Sequence, residues 1–242
     1  MTFEQFLASG QLPAWLPQVL STLYDGQDPD TAARWGRRIV ECCRSSVLPF
    51  AVVHHWQAGT VVPMMAAEVI AEQPAAELRR MHARAAAGEE FDEADWRAAI
   101  EPVLRGLYSD AYGYADAYAT AHASASAYAK ANNFSPDGAI RFAESYAADS
   151  TEANRQSYAE SNAVANATML AAAYASNDAQ AYAEAYPFAL LHACAHAWAN
   201  RTRPATDQAE DADQAAADRT ARRQAGYARL ADGLADSSAR LG

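Results

Sequence analysis

YSDAYGYADAYATAHASASAYAKAN, residues 108–132, carries alanine at every odd position from Ala111 to Ala131 except Gly113, with Tyr, Asp, Thr, His, Ser and Lys between. Strict alternation ordinarily marks a half-buried strand. Here it reads as a helix: the run is several times longer than a strand, alanine is the best helix former and is depleted in sheets, and no turn signal interrupts it. A silk-like sheet is the competing arrangement. On a helix, residues four apart stack and residues two apart lie about 200° round the axis. The odd positions therefore become two alanine rows on roughly opposite sides. The even positions become two ridges, one running Asp110, Tyr114, Tyr118, His122, Ser126, Lys130 and the other Tyr112, Asp116, Thr120, Ser124, Tyr128, Asn132. Alanine rows let backbones approach closely, so the stretch predicts a central helix with a close neighbour on each alanine side.

Working outward, Trp96, Ile100, Val103, Leu104 and Leu107 form an apolar stripe at helical spacing. Extended through Ala111, that stripe reaches Tyr114 and Tyr118, so the ridge from Asp110 to His122 is predicted to face the core. One helical run is expected from about Asp92 to Asn132, with a kink at Pro102. NNFSPDG, residues 132–138, is a turn with Ser135 as N-cap and Pro136 at the first helical position. A second long helix follows to about Ser176, with an interruption expected at Asp149 to Thr151. Its later half repeats the alternating texture. Asn177 and Asp178 cap a third segment to Pro187, and PFALLHACAHAWAN carries it on to Asn200.

The first ninety residues read as an ordinary helical unit. Thr2 with Gln5 resembles a capping box, and Trp15, Leu16, Val19, Leu20 and Leu23 share one helix face. Pro29 or Asp30 opens a helix with Trp35, Ile39 and Cys42 inward, running to about Pro49. LPFAVVHHWQAG, residues 48–59, is apolar on all sides and predicts core; Pro63 and Pro74 start further helices over about 62–73 and 75–87. The fold class is all-α: a multi-helix bundle with closely packed, alanine-rich long helices. It divides into an N-terminal helical part (1–90), an alanine- and tyrosine-rich bundle (91–203), and an acidic alanine-rich C-terminal helix or tail (204–242). Together these make one compact domain plus tail.

A net charge of −11 argues against nucleic acid, which needs a basic footprint. No run reaches transmembrane length, and TFEQFLASGQLP after Met1 lacks a signal peptide's basic and apolar regions. Adjacent Cys42 and Cys43 and the single Cys194 form no disulfide framework, so a cytoplasmic protein with reduced cysteines is expected. No membrane partner is expected; a homo-oligomer built on the alanine rows is one possible assembly.

Motifs for an activity are few. His192 and His196 stand one turn apart with Cys194 between, a spacing that can hold a metal from one helix face. With no HExxH, no Glu-x-x-His pair and no CxxC, the expectation is neither metal nor cofactor. His54 and His55 beside Trp56 read as core histidines. Nucleophile elbows, phosphate loops and GxGxxG are missing. The strongest signal is aromatic and polar: ten of the twelve tyrosines fall between residues 108 and 186. If the helices pack through alanine, these tyrosines supply much of the buried area and their hydroxyls need partners. They and their polar neighbours either satisfy one another or line a cleft for a hydroxylated or cationic ligand. The ligand-binding candidates are Asp110, Tyr114, Tyr118, His122, Glu160, Asn162, Asn166, His192 and His196.

GLYSDAYGYADAYA, FAESYA, SYAESNAVANATMLAAAYA and YPFALLHACAHAWAN, within about residues 92–200, resemble a group of alanine-rich actinobacterial proteins of unassigned function. One of these accompanies the spectinomycin biosynthetic cluster. The single lysine, Lys130, among many arginines fits a high-GC coding bias of the same origin. The resemblance implies a setting in or near specialised metabolism and assigns no catalytic residue. The expected function is a non-catalytic helical binding or accessory protein for a small polar or cationic metabolite. The alternatives are an enzyme with a Tyr, His and carboxylate site, or a structural oligomerising protein.

Overall fold

A helix of 41 residues, α9 (Pro136–Ser176), is the spine of the molecule. At 1.5 Å per residue it is about 60 Å long. Two shorter helices run along it end to end: α7 (Glu93–Ala111) on its C-terminal half and α8 (Tyr114–Ala131) on its N-terminal half. A computed structural model describes residues 1–9, 12–43, 48–66, 72–202 and 212–241 of the chain, and among these every regular element is helical.

Alanine sets the α8–α9 contact. Ala117, Ala121, Ala125 and Ala129 of α8 are buried against the row Ala143, Ala147 and Thr151 of α9, which continues as Ala159, Ala163, Ala167 and Ala171 towards α7. Each row repeats every four residues, longer than the 3.6-residue turn, so the stripe winds round α9 in a right-handed sense. The one interruption is Arg155, and it faces the break between α7 and α8. Its guanidinium donates to the carbonyls of Tyr112 at 3.1 Å and Ser109 at 3.1 Å, while the Asn200 amide donates to Asp110 O at 2.7 Å. These donors satisfy the carbonyls that the end of a helix leaves open. The break therefore falls at Tyr112–Gly113, and Pro102 is carried inside α7.

That elbow corrects the predicted facing of the ridge. Beyond it the buried α8 positions are the alanines, and Tyr118 and His122 lie half-buried on a flank with Tyr114 exposed. Only one of the two predicted alanine neighbours is present: α9 is the extended helix contact of α8 among the described residues. The expected interruption at Asp149 to Thr151 is also absent. Ser150 and Thr151 turn their hydroxyls back onto the carbonyls of Tyr146 and Ala147, which keeps these residues compatible with a continuous helix.

Around the C-terminal half of this pair sits the body. The N-terminal helices are α1 (Phe3–Leu7), α2 (Leu16–Asp25) and α3 (Pro29–Cys43). Thr2 and Gln5 close the capping box on α1, and the core face of α2 is as predicted. On α3 it is Cys43, rather than Cys42, that is buried with Trp35 and Ile39. Next, α4 (Ala51–Trp56), a π-turn at Gln57–Val61 and α5 (Val62–Met65) form one helical run through the core. Then comes α6 (Glu72–Ala86). The predicted helix end near Pro49, part of the predicted 62–73 helix and the 203/204 boundary involve residues outside the described ones.

After α10 (Ala179–Glu184) and α11 (Pro187–Arg201), the chain ends in α12 (Ala212–Leu241). This C-terminal segment is docked. Tyr227, Leu230, Ala231, Leu234 and Ala235 are buried, and two indole N–H groups from the N-terminal half lock it. Trp35 donates to Ala231 O at 2.8 Å and Trp56 to Leu230 O at 3.0 Å. Gly233 lets α12 approach the π-turn: a Cβ there would lie 2.1 Å from Thr60 Oγ1 and 2.6 Å from its Cβ. Gly233→Ala should therefore destabilise the protein by about 1–3 kcal/mol, the usual range for overpacking. Urea denaturation at unchanged m-value measures it.

Candidate functional site

An open groove of about 580 Å³ lies where α2, α11 and α12 converge. The spacing of His192 and His196 puts both on one face of α11, while Cys194 between them turns into the core. Opposite stand Gln18, Ser21 and Asp25 from α2, and Arg223, Gln224 and Tyr227 come from α12. Ser21 donates to Asp25 at 3.3 Å, and His192 Nδ1 pairs with the Tyr227 hydroxyl.

The groove floor depends on Gly26. A Cβ at this position would sit 2.4 to 2.6 Å from three ring atoms of Tyr227, so only glycine lets the phenol lie against the end of α2. With Tyr227 in that place, the phenol edge also meets the His192 ring, at 5.8 Å between centroids. Burial pushes the Tyr227 hydroxyl up to about 12, so it remains a neutral donor.

Electrostatics centre on Arg223. Partial desolvation, and then the Arg223 cation, hold both His192 and His196 below the ordinary imidazole value. Both rings are thus neutral at pH 7, each with one donor and one acceptor nitrogen. Arg223 is itself half-buried and makes no hydrogen bond or ion pair among the described residues. Other arginines are spent on carboxylates: Arg38 on Asp232 and Asp236, Arg105 on Glu101 and Glu160, Arg219 on Asp116.

The other predicted residues lie elsewhere. Asp110 ends α7, half-buried, 3.6 Å from Arg201 Nε; burial raises its carboxyl and Arg201 and Arg155 oppose that shift. Tyr114, Tyr118 and His122 form a stacked ladder on the flank of α8, with centroids 6.2 and 6.1 Å apart. Glu160 is held by Arg105 through two contacts of 2.8 Å. Asn162 and Asn166 donate to the carbonyls of Tyr158 and Asn162, four residues back on their own helix. Of the nine candidates, His192 and His196 are the two that share the groove.

Gln18, Ser21, Asp25, Arg223 and Tyr227 escaped the sequence reading. They come from both ends of the chain, and nothing local in the sequence links them. No group of three or more His, Cys, Asp or Glu side chains able to hold a metal occurs among the described residues. Burial pushes the Cys194 thiol up to about 12, so it supplies no thiolate to the flanking histidines. Comparison with protein-family models, curated proteins and solved structures returned no match to this chain.

Proposed function

We propose that the protein is a non-catalytic binding protein for a small polar metabolite held in the groove between α2, α11 and α12. The observation that carries this reading is Arg223, a half-buried guanidinium with no carboxylate partner among the described residues, set beside two neutral imidazoles. A cation partly withdrawn from water without a counter-charge leaves its donors open, and an anionic group on a ligand supplies that charge with directed hydrogen bonds. Across the groove, Ser21, Asp25 and Gln18 suit hydroxyl or amino groups on the same ligand. The ligand class is therefore a polar molecule with a carboxylate or phosphate rather than a purely cationic one. Binding without turnover fits a groove whose neighbouring thiol stays protonated and whose Ser21 hydroxyl is turned to Asp25 rather than to an imidazole. A setting in specialised metabolism rests on the resemblance of residues 92–200 alone.

Thermal melts with hydroxylated carboxylates, sugar phosphates and aminocyclitols test this. Saturating acidic ligands should stabilise the fold, by about 2.7 kcal/mol at a hundredfold excess over Kd. Affinity for them should rise as the pH is lowered through the range where His192 and His196 protonate, because each proton adds positive charge beside the anion. Aminocyclitols without an acidic group should give no shift. Stabilisation by aminocyclitols alone would reverse the assigned charge.

A further inference from the structure

We infer that the arm formed by α8 and the first half of α9 is an antiparallel dimerisation element, with α8 of one molecule packed on α8 of a second copy. The arm projects from the body and buries only small side chains between its two helices, Ala117, Ala121, Ala125 and Ala129 against Ala143, Ala147 and Thr151.

The occupant follows from the outward face of α8. At about 100° per residue, Ala123 points directly away from the mean direction of the buried alanine row. Asp116 and Lys130, seven residues before and after it, lie about 20° to either side of that direction. They are the only charged residues of α8, and they are opposite in sign. A two-fold axis through Ala123 therefore sets Asp116 against the second copy's Lys130 at both ends of the contact. The same operation sets Ala119 on Ala127 and Thr120 on Ser126, so the face is self-complementary in size, polarity and charge, as a two-fold interface requires. A parallel pairing would bring Asp116 to Asp116 and Lys130 to Lys130.

Two features bound the register. Asp116 already meets Arg219 Nη1 at 3.4 Å through one oxygen, but both side chains are about half exposed, and its second oxygen carries no partner among the described residues. The small side chains at Ala119, Ala123 and Ala127, all exposed, allow the second α8 to approach as closely as α9 does on the other side. This is the second alanine neighbour that the alternation of residues 108–132 predicts.

Sedimentation equilibrium of the full chain over a range of concentrations reads the association. The expected result is a reversible dimer of the 26.0 kDa chain, weakened by salt. Ala123→Glu places like charges on the axis and should weaken association about tenfold or more. Lys130→Asp should weaken it too, and adding Asp116→Lys to that variant should restore it. All these positions are exposed, so helical content by circular dichroism should not change. A monomer at every concentration, a dimer indifferent to Ala123→Glu, or a charge swap that fails to restore association overturns the assignment.

Discussion

Lowering the pH from 6.5 to about 4 should cost this protein several kcal/mol of stability, with the loss beginning above the range in which its carboxylates protonate. The cause is a pair of histidines sealed in the core. His54 Nδ1 lies 3.0 Å from His82 Nδ1, and His54 Nε2 lies 2.9 Å from Asn177 Oδ1. The amide oxygen only accepts, so His54 carries its proton on Nε2. Its Nδ1 is then bare and accepts a hydrogen bond from His82 Nδ1–H. This chain requires a neutral His54, and burial keeps His82 neutral as well. Among the described residues the ring and hydrogen-bond neighbours of the pair are uncharged: Phe50, Trp96, Tyr174 and Asn177 face His54, and Trp96 and Tyr174 face His82. Burial lowers His54 to about 4 and His82 well below its usual value.

The linkage has one sign. Above pH 6.5 both folded and unfolded chains hold these rings neutral, and the full stability is present. Below it the unfolded chain takes up protons that the folded core refuses, so stability falls until the pH reaches the folded values. For His54 the gap between 6.5 and about 4 is worth about 3 kcal/mol, and His82 adds to it in the same direction. Urea midpoints measured across this window should fall steeply in the wild type. In the double variant with leucine at both positions the slope should flatten, apart from the smaller contribution of His55, His192 and His196, which reach solvent. An unchanged slope would mean that the two rings already carry charge in the folded core.

Trp56→Ala should be the most damaging single truncation, costing about 3–5 kcal/mol, the range for removing a large buried aromatic side chain. The indole is fully buried and its N–H reaches Leu230 O on α12. Its loss opens a cavity beside the π-turn and leaves only Trp35 to fasten α12 by an indole hydrogen bond. Hydrogen exchange should show α12 losing protection ahead of α9. A cost below about 1 kcal/mol, or α12 protection equal to wild type, would contradict the role assigned to this contact.

Much of the fold could be read locally. Caps declare themselves within four residues, and Thr2 with Gln5, Ser135 with Pro136, and Asp178 all start helices where their spacing says they should. Large apolar side chains declare their face, as Trp15 to Leu23 do on α2 and Trp96 to Leu107 on α7. Alanine does not. When every odd position is alanine, four faces of α8 look alike, and the phase of the stripe was carried over from α7 across an elbow that changes it. The elbow itself depends on Arg155 and Asn200, some 40 and 90 residues further on. His82 was passed over for a similar reason: its partner is on another helix. The groove shows the same limit, since the His192 and His196 spacing was visible and the arginine beside them comes from the far end of the chain.

The central claim is that the ligand site is the groove at Arg223 and not the tyrosine ridge of α8. Isothermal titration of the wild type with the best acidic ligand, repeated on Arg223→Ala and Tyr118→Ala, tests it most directly. Arg223→Ala should weaken binding about a hundredfold, the loss of a charge-assisted pair worth roughly 3 kcal/mol. Tyr118→Ala should bind as the wild type does. Binding that survives Arg223→Ala and disappears in Tyr118→Ala would contradict the account.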